Sequence, residues 1–133
     1  MPHGASERAI KYQAQISALN NPQRPLAPGV AVSLTNPVTG ARVAFDDCRE
    51  SDGTMIEAKG PGYAEKLDNA IMAASFAKKW TDQAKSQLDA SGGRPLEWYF
   101  AEEKAADKAR DIFNEHKDLQ GRILIFTVPA EVP

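Results

Sequence analysis

"TMIEAKGPGYAEKL", residues 54–67, decides how this chain is read. A short apolar run ends in an acid and a lysine two positions apart, followed by two glycines around a proline. E-x-K also occurs at Glu102–Lys104 and Glu115–Lys117, so the triplet by itself says little. Its setting matters more. Successive strand side chains point to opposite faces, so residues two apart project together, about 6–7 Å from each other. On a helix the same pair is turned roughly 200° apart and converges on nothing. Glu102–Lys104 and Glu115–Lys117 fall in the helical pattern "AEEKAADKARDIFNEHK" and read as solvated charge. Glu57 and Lys59 fall on the strand "TMIEAK" and share one face; Thr54, Ile56 and Ala58 on the other are suited to packing.

Working outward, "SERAIKYQAQISAL" predicts a first helix with Ser6 as its N-cap and Ala9, Tyr12 and Ile16 on one face. "NNPQRPLAPG" ends it as a loop. "VAVSL", "NPVTG" and "ARVAFD" predict strand, turn and strand, and "CRESDG" a second turn before "TMIEAK". After the glycines, Leu67, Ile71, Ala74, Ala77, Trp80, Ala84 and Leu88 predict one long helix from Tyr63 to about Leu88. "LEWYF" is a strand with Trp98 and Phe100 facing the core, and "AEEKAADKARDIFNEH" a helix. "RILIFTV" is apolar on both faces, which predicts a central strand rather than an edge. The order is helix, three strands, helix, strand, then an additional helix and strand. That predicts an α/β fold, a mixed sheet flanked by helices, in a single domain over residues 1–133. The loop at 22–28 and the terminal "PAEVP" read as mobile margins.

Composition bounds the function. The 133 residues are 42% hydrophobic and 26% charged, ordinary for a globular protein. No apolar run approaches the ~20 residues of a membrane span, so membrane insertion is not expected. The opening "MPHGASERAI" has no signal-peptide apolar stretch. One cysteine, Cys48, excludes an internal disulfide, and His3 and His116 lack zinc-ligand spacing. The net charge of −2 gives no bulk attraction to nucleic acid. Charge is instead local: "DDCRESDGTMIE" holds five acids and one arginine, a balance of −4. Such a patch is a solvated turn or a cation site.

The hairpin before "TMIEAK" brings Asp46 beside Glu57. Two carboxylates and a backbone carbonyl, with waters, form the usual oxygen set for Mg²⁺ (or Mn²⁺) in phosphoryl-transfer sites. Lys59 beside them suits stabilising charge on phosphate or orienting a water. Gly60 and Gly62 would leave room for a phosphate backbone, and amides at the helix start near Tyr63 would favour an anion. The spacing therefore suits a metal-dependent phosphodiesterase.

"YQAQIS", "FDD", "IEAKGPGYA" and "WYFAEEKAA", in this order, resemble the restriction-endonuclease-fold toxin domains of bacterial polymorphic toxin systems. The class is marked by an EAKGPGY stretch and a later W-x-F-A-E, and the resemblance runs from about Tyr12 to Pro129. It implies the core of the PD-(D/E)xK superfamily and a metal-dependent DNase used against rival bacteria. It also implies a cognate immunity protein, and delivery by a contact-dependent or type VI secretion route through secretion-apparatus or chaperone and adaptor proteins. The effector would carry no signal peptide and act in the cytoplasm of the target cell. The short N-terminal lead hints at a domain cut from the C-terminal end of a longer effector.

Carried over by residue, Asp46 matches the first acid, Glu57 the second and Lys59 the lysine. The family has glycine after the first acid where this chain has Asp47, so Asp46 and Asp47 both stand as the ligand. Superfamily members often add an acid from the first helix; Glu7 is the candidate, with Gln13 as the alternative. Gln83 and Gln87, one turn apart, could reach a metal-bound water or a phosphate, or be surface amides. Tyr63 packs beneath the glycine turn or meets substrate. Glu102 reads as a structural hydrogen bond or cap, Cys48 as a bystander, and His116 as a charge near a helix C-terminus. Lys66, Lys78 and Lys79 would supply salt-sensitive affinity for duplex DNA. The competing readings are an RNase or repair-type nuclease on the same scaffold, and a non-catalytic interaction domain.

Overall fold

Ser6 opens the chain's first regular element as the sequence predicts: its side chain accepts a bond from the Ala9 N–H at 3.0 Å and starts α1, Glu7–Asn20. The structure, a computed structural model, describes residues 6–131; His3 and the last two residues of "PAEVP" lie outside that range. The remaining elements are β1 Val32–Thr35, β2 Arg42–Phe45, β3 Asp47–Cys48, β4 Met55–Lys59, α2 Tyr63–Lys66, α3 Ala70–Ser91, β5 Leu96–Phe100, α4 Glu103–Asn114 and β6 Ile123–Thr127. β3-β4-β5-β6 form a mixed sheet, β3 antiparallel to β4 and the other two pairs parallel. This is the mixed α/β, restriction-endonuclease-like architecture expected.

Four details differ from the sequence reading. The strand expected over "ARVAFD" ends at Phe45: the chain bends at Asp46, so β2 pairs only with β1 in a separate two-stranded sheet, and a further short strand, β3, joins the main one. The long helix is two. Asn69 accepts bonds from the N–H groups of Ile71 and Met72 and so starts α3 afresh. Ile71, placed on the apolar side by spacing, is 82% exposed.

β6 is an edge strand rather than a central one, with Leu124 and Phe126 partly in solvent. Its inner residues still pack: Ile123 joins the core and Phe126 stacks on Tyr99 at 5.3 Å. The segment after β6 is tied rather than loose. Val128 donates to the Phe100 carbonyl, the Tyr12 hydroxyl donates to the Val128 carbonyl, and Gln15 bonds both Pro129 and Glu131.

The two faces of β4 and β5 have different occupants. Ile56, Ala58 and Tyr99 pack with Tyr12 and Ile16 of α1. Met55, Leu96, Trp98 and Phe100 pack with Trp80, Ala84 and Leu88 of α3 and Ala105, Ala109, Ile112 and Phe113 of α4. Burying each large apolar side chain of this kind stabilises the fold by about 1.5–3 kcal/mol. Glu57 and Lys59 share the face that carries this larger core, at the end where β4 leaves the sheet.

Candidate active site

Alternation along β4 places Glu57 and Lys59 together, and both are buried. Parallel pairing sets Trp98 opposite Glu57 and Phe100 opposite Lys59. The Lys59 ammonium lies 3.1 Å from Glu57 Oε2 and 5.1 Å from the centre of the Trp98 ring. Burial pulls its pKa down, but Glu57, with Tyr63 and Asp46 adding, more than reverses this and holds it above the usual lysine range. Lys59 is therefore a fixed positive charge.

Asp46 joins from the bend between β2 and β3. Its N–H donates to the Ile56 carbonyl at 2.9 Å, and its Oδ2 accepts from the Ala58 N–H at 2.7 Å. The side chain thus extends the pairing with β4 just before β3 begins. Burial first, and the neighbouring Glu57 charge second, push the Asp46 carboxyl well above the ordinary carboxylate range; the Ala58 N–H and Lys59 only partly offset them.

Asp47 faces the other side of the sheet. Its carboxylate accepts from Ser17 Oγ at 2.7 Å and Asn21 Nδ2 at 2.9 Å, both at the end of α1. Of the two adjacent acids, Asp46 stands with Glu57 and Lys59, and Asp47 anchors a helix. Glu7 is also elsewhere, on the outer surface of α1, paired with Lys11 at 3.1 Å. Gln13 is half-buried on α1.

α3 completes the cluster. Gln83 donates to Glu57 Oε2 at 2.9 Å and accepts from Lys59 Nζ at 2.6 Å. Gln87, one turn on and fully buried, donates to Glu57 Oε1 at 3.0 Å and accepts from the Trp98 indole N–H at 2.9 Å. Neither is a surface amide. Each holds one oxygen of the Glu57 carboxylate, which fixes its plane.

The glycine loop has a different use from the one its sequence suggests. A Cβ on Gly60 would sit 3.3 Å from Ala9 Cα and Tyr12 Cβ, so the space beside it belongs to α1. Gly62 has φ +113°, a conformation that favours glycine. The amides of Gly62, Tyr63 and Ala64 already have an anion: all three donate to Glu102 Oε1, at 2.9–3.1 Å. Glu102 thus caps α2 from a distance instead of its own helix, α4. The Tyr63 ring packs edge-on against Phe76 and Trp80. Lys66 is exposed on α2, Lys78 pairs with Asp82, and Lys79 lies 5.9 Å over the Phe76 ring.

Asp46, Glu57 and Lys59, gathered where β4 ends and braced by a following helix, occupy a segment that comparison with known families places firmly. The family model "restriction endonuclease fold toxin 5" matches residues 9–103. The chain belongs to this family. The match spans α1 through β5, so every side chain of the cluster lies within it. The restriction endonuclease fold toxins give the chain a toxin's classification and point to nuclease chemistry. No curated protein and no solved structure matches it.

The donor set itself decides which cation it could hold. Among the described residues no three of His, Cys, Asp and Glu gather at one place, so protein ligands would number two carboxylates and a backbone carbonyl. That fits a hard, oxygen-seeking cation such as Mg²⁺ or Mn²⁺ that keeps several waters, and does not fit zinc. The strain on Asp46 supports the fit, since two carboxyls buried together gain most from a cation between them.

Proposed function

We infer that this chain is a metal-dependent DNA endonuclease, the toxic domain of an antibacterial effector. The observation that carries the reading is the convergence of Asp46, Glu57 and Lys59 at the end of one strand, inside the family-matched segment. Asp46 and Glu57 would hold Mg²⁺ or Mn²⁺. When bound, the ion lowers the pKa of a water and polarises the phosphate.

The protein's own groups do the rest. Gln83 and Gln87 hold Glu57 in one orientation, so no rearrangement is needed as charge develops. Lys59, kept charged, stabilises negative charge on the phosphate. The apolar wall of Trp98 and Phe100 keeps the ammonium out of bulk water, where its field would be screened.

A toxin of this kind is safe to its maker only if a cognate immunity protein covers the site. Delivery would use a secretion apparatus of the contact-dependent or type VI kind, with chaperone or adaptor proteins, and action would follow in the cytoplasm of the target cell. No helix among the described residues is long and apolar enough to cross a membrane.

Supercoiled plasmid incubated with the protein and Mg²⁺ should be nicked and linearised. EDTA should stop it, and Lys59→Ala should lower kcat about 10²–10³-fold. Equal cleavage with and without EDTA would dismiss the metal, and cleavage of RNA alone would reassign the substrate.

A further inference from the structure

Beside the end of β4 lies a cavity of about 260 Å³, several times the ~30 Å³ share of one water. Its lining includes Arg8 from α1, Lys66 from α2, and the Gly60–Gly62 loop between them, with Tyr63 on its inner wall. Two cations line it and, among the described lining residues, no carboxylate does.

Of the acids nearby, Glu65 lies beside Lys66 on α2 but outside the lining, and three others are already engaged. Glu102 takes the three loop amides, Glu7 pairs with Lys11, and Asp68 pairs with Lys104. In a chain of net charge −2, this is a local positive field.

The two motif glycines place that charge. Gly60 lets the first turns of α1 touch the loop, with only 3.3 Å from its would-be Cβ to Ala9 and Tyr12. Gly62 lets the Arg8 guanidinium lie over the loop, since a Cβ there would stand 3.0 Å from Arg8 Nη2. Glycine therefore serves the protein's own arginine. The cavity also adjoins the chemistry: Gly60, in its lining, directly follows Lys59.

We propose that Arg8 and Lys66 form a subsite for a backbone phosphate of the nucleic-acid substrate, next to the phosphodiester that Lys59 faces. The proposal rests on the nuclease reading for its substrate class. An arginine fork matches a phosphate's two oxygens, and a lysine adds a point charge. The two groups would set the register of the strand, holding it by its backbone without reading bases.

The test measures binding of a short DNA duplex by fluorescence anisotropy in EDTA, across a salt series, for wild type, Arg8→Gln, Arg8→Lys, Lys66→Gln and Lys11→Gln. Each lost phosphate contact removes roughly 0.9 from the slope of log K against log salt. Arg8→Gln and Lys66→Gln should each lose about one unit of slope, and Arg8→Lys should keep most of it. Lys11→Gln, paired with Glu7 on the outer surface, should match wild type. With Mg²⁺ present, the Arg8 and Lys66 variants should raise KM and leave kcat nearly unchanged.

Unchanged slopes and KM in Arg8→Gln and Lys66→Gln, in a protein that still cuts DNA, would overturn the subsite and leave the nuclease reading standing. Lost slope in a protein that never cuts DNA would keep the subsite and remove the nuclease.

Discussion

Gln87 is the polar pivot of the buried cluster, and replacing it with leucine isolates what it holds. The side chain is fully buried and bonds three groups: Glu57 Oε1 at 3.0 Å, the Trp98 indole N–H at 2.9 Å, and the Ala44 carbonyl at 3.4 Å. Leucine fills a similar volume but offers none of these bonds. The Trp98 N–H would be left buried without an acceptor, at about 1–3 kcal/mol, and Glu57 would lose a charge-assisted bond worth about 1.5–3 kcal/mol. The third contact, long and weak, adds little. Gln87→Leu should therefore cost about 3–5 kcal/mol, a large part of the 5–15 kcal/mol typical of a domain. Urea titration should show a lower midpoint at unchanged m.

A double-mutant cycle with Trp98→Phe sharpens the test, because phenylalanine has no N–H to strand. The two losses should be less than additive by about 1–3 kcal/mol. A Gln87→Leu protein within 0.5 kcal/mol of wild type, or a cycle that sums to zero, would refute this account of the cluster.

Other outcomes follow from the same geometry. Asp46→Asn should abolish metal-dependent cleavage yet stabilise the metal-free protein at neutral pH. An acid whose pKa folding raises contributes stability below its unfolded value, and that contribution is lost as pH climbs through the folded one; the wild type should fall behind the variant as pH rises above about 4, and melts that keep a constant gap would contradict it. Gly62→Ala meets both φ +113° and the Arg8 guanidinium at 3.0 Å, and should lower stability by about 1–2 kcal/mol in chemical denaturation. Glu102→Ala strips the acceptor from three amides; hydrogen exchange at Gly62, Tyr63 and Ala64 should accelerate together, while exchange in β5 stays as it was.

The sequence made the strand pair readable because a two-residue period is strict: Glu57 and Lys59 had to share a face once "TMIEAK" was a strand. Asp46 followed from the turn. Choosing it over Asp47 did not, since that depended on the bend that splits β2 from β3. The break at Asn69 was hidden because the apolar spacing continues across it, although an asparagine two residues ahead of Ile71 is itself a capping signal. β6 misled for a physical reason. Leu124 and Phe126 make the strand look doubly covered, yet among the described residues no strand pairs with its outer edge. Gln83 and Gln87 were noticed as a pair one turn apart, but their partner lies some thirty residues earlier in the chain, and sequence has no register for helix against strand. Glu102 and Arg8 act on the glycine loop from 40 and 54 positions away respectively, and only the fold brings them there.

The bonds from α1 to residues 128–131 also order events in time. Tyr12 and Gln15 find their partners more than 110 residues downstream, so α1 is fully fastened only after residues 128–131 have been made. A nascent chain that stops short of residue 128 could seat α1 on β4 and β5 through Tyr12 and Ile16 but could not latch it there by these three bonds.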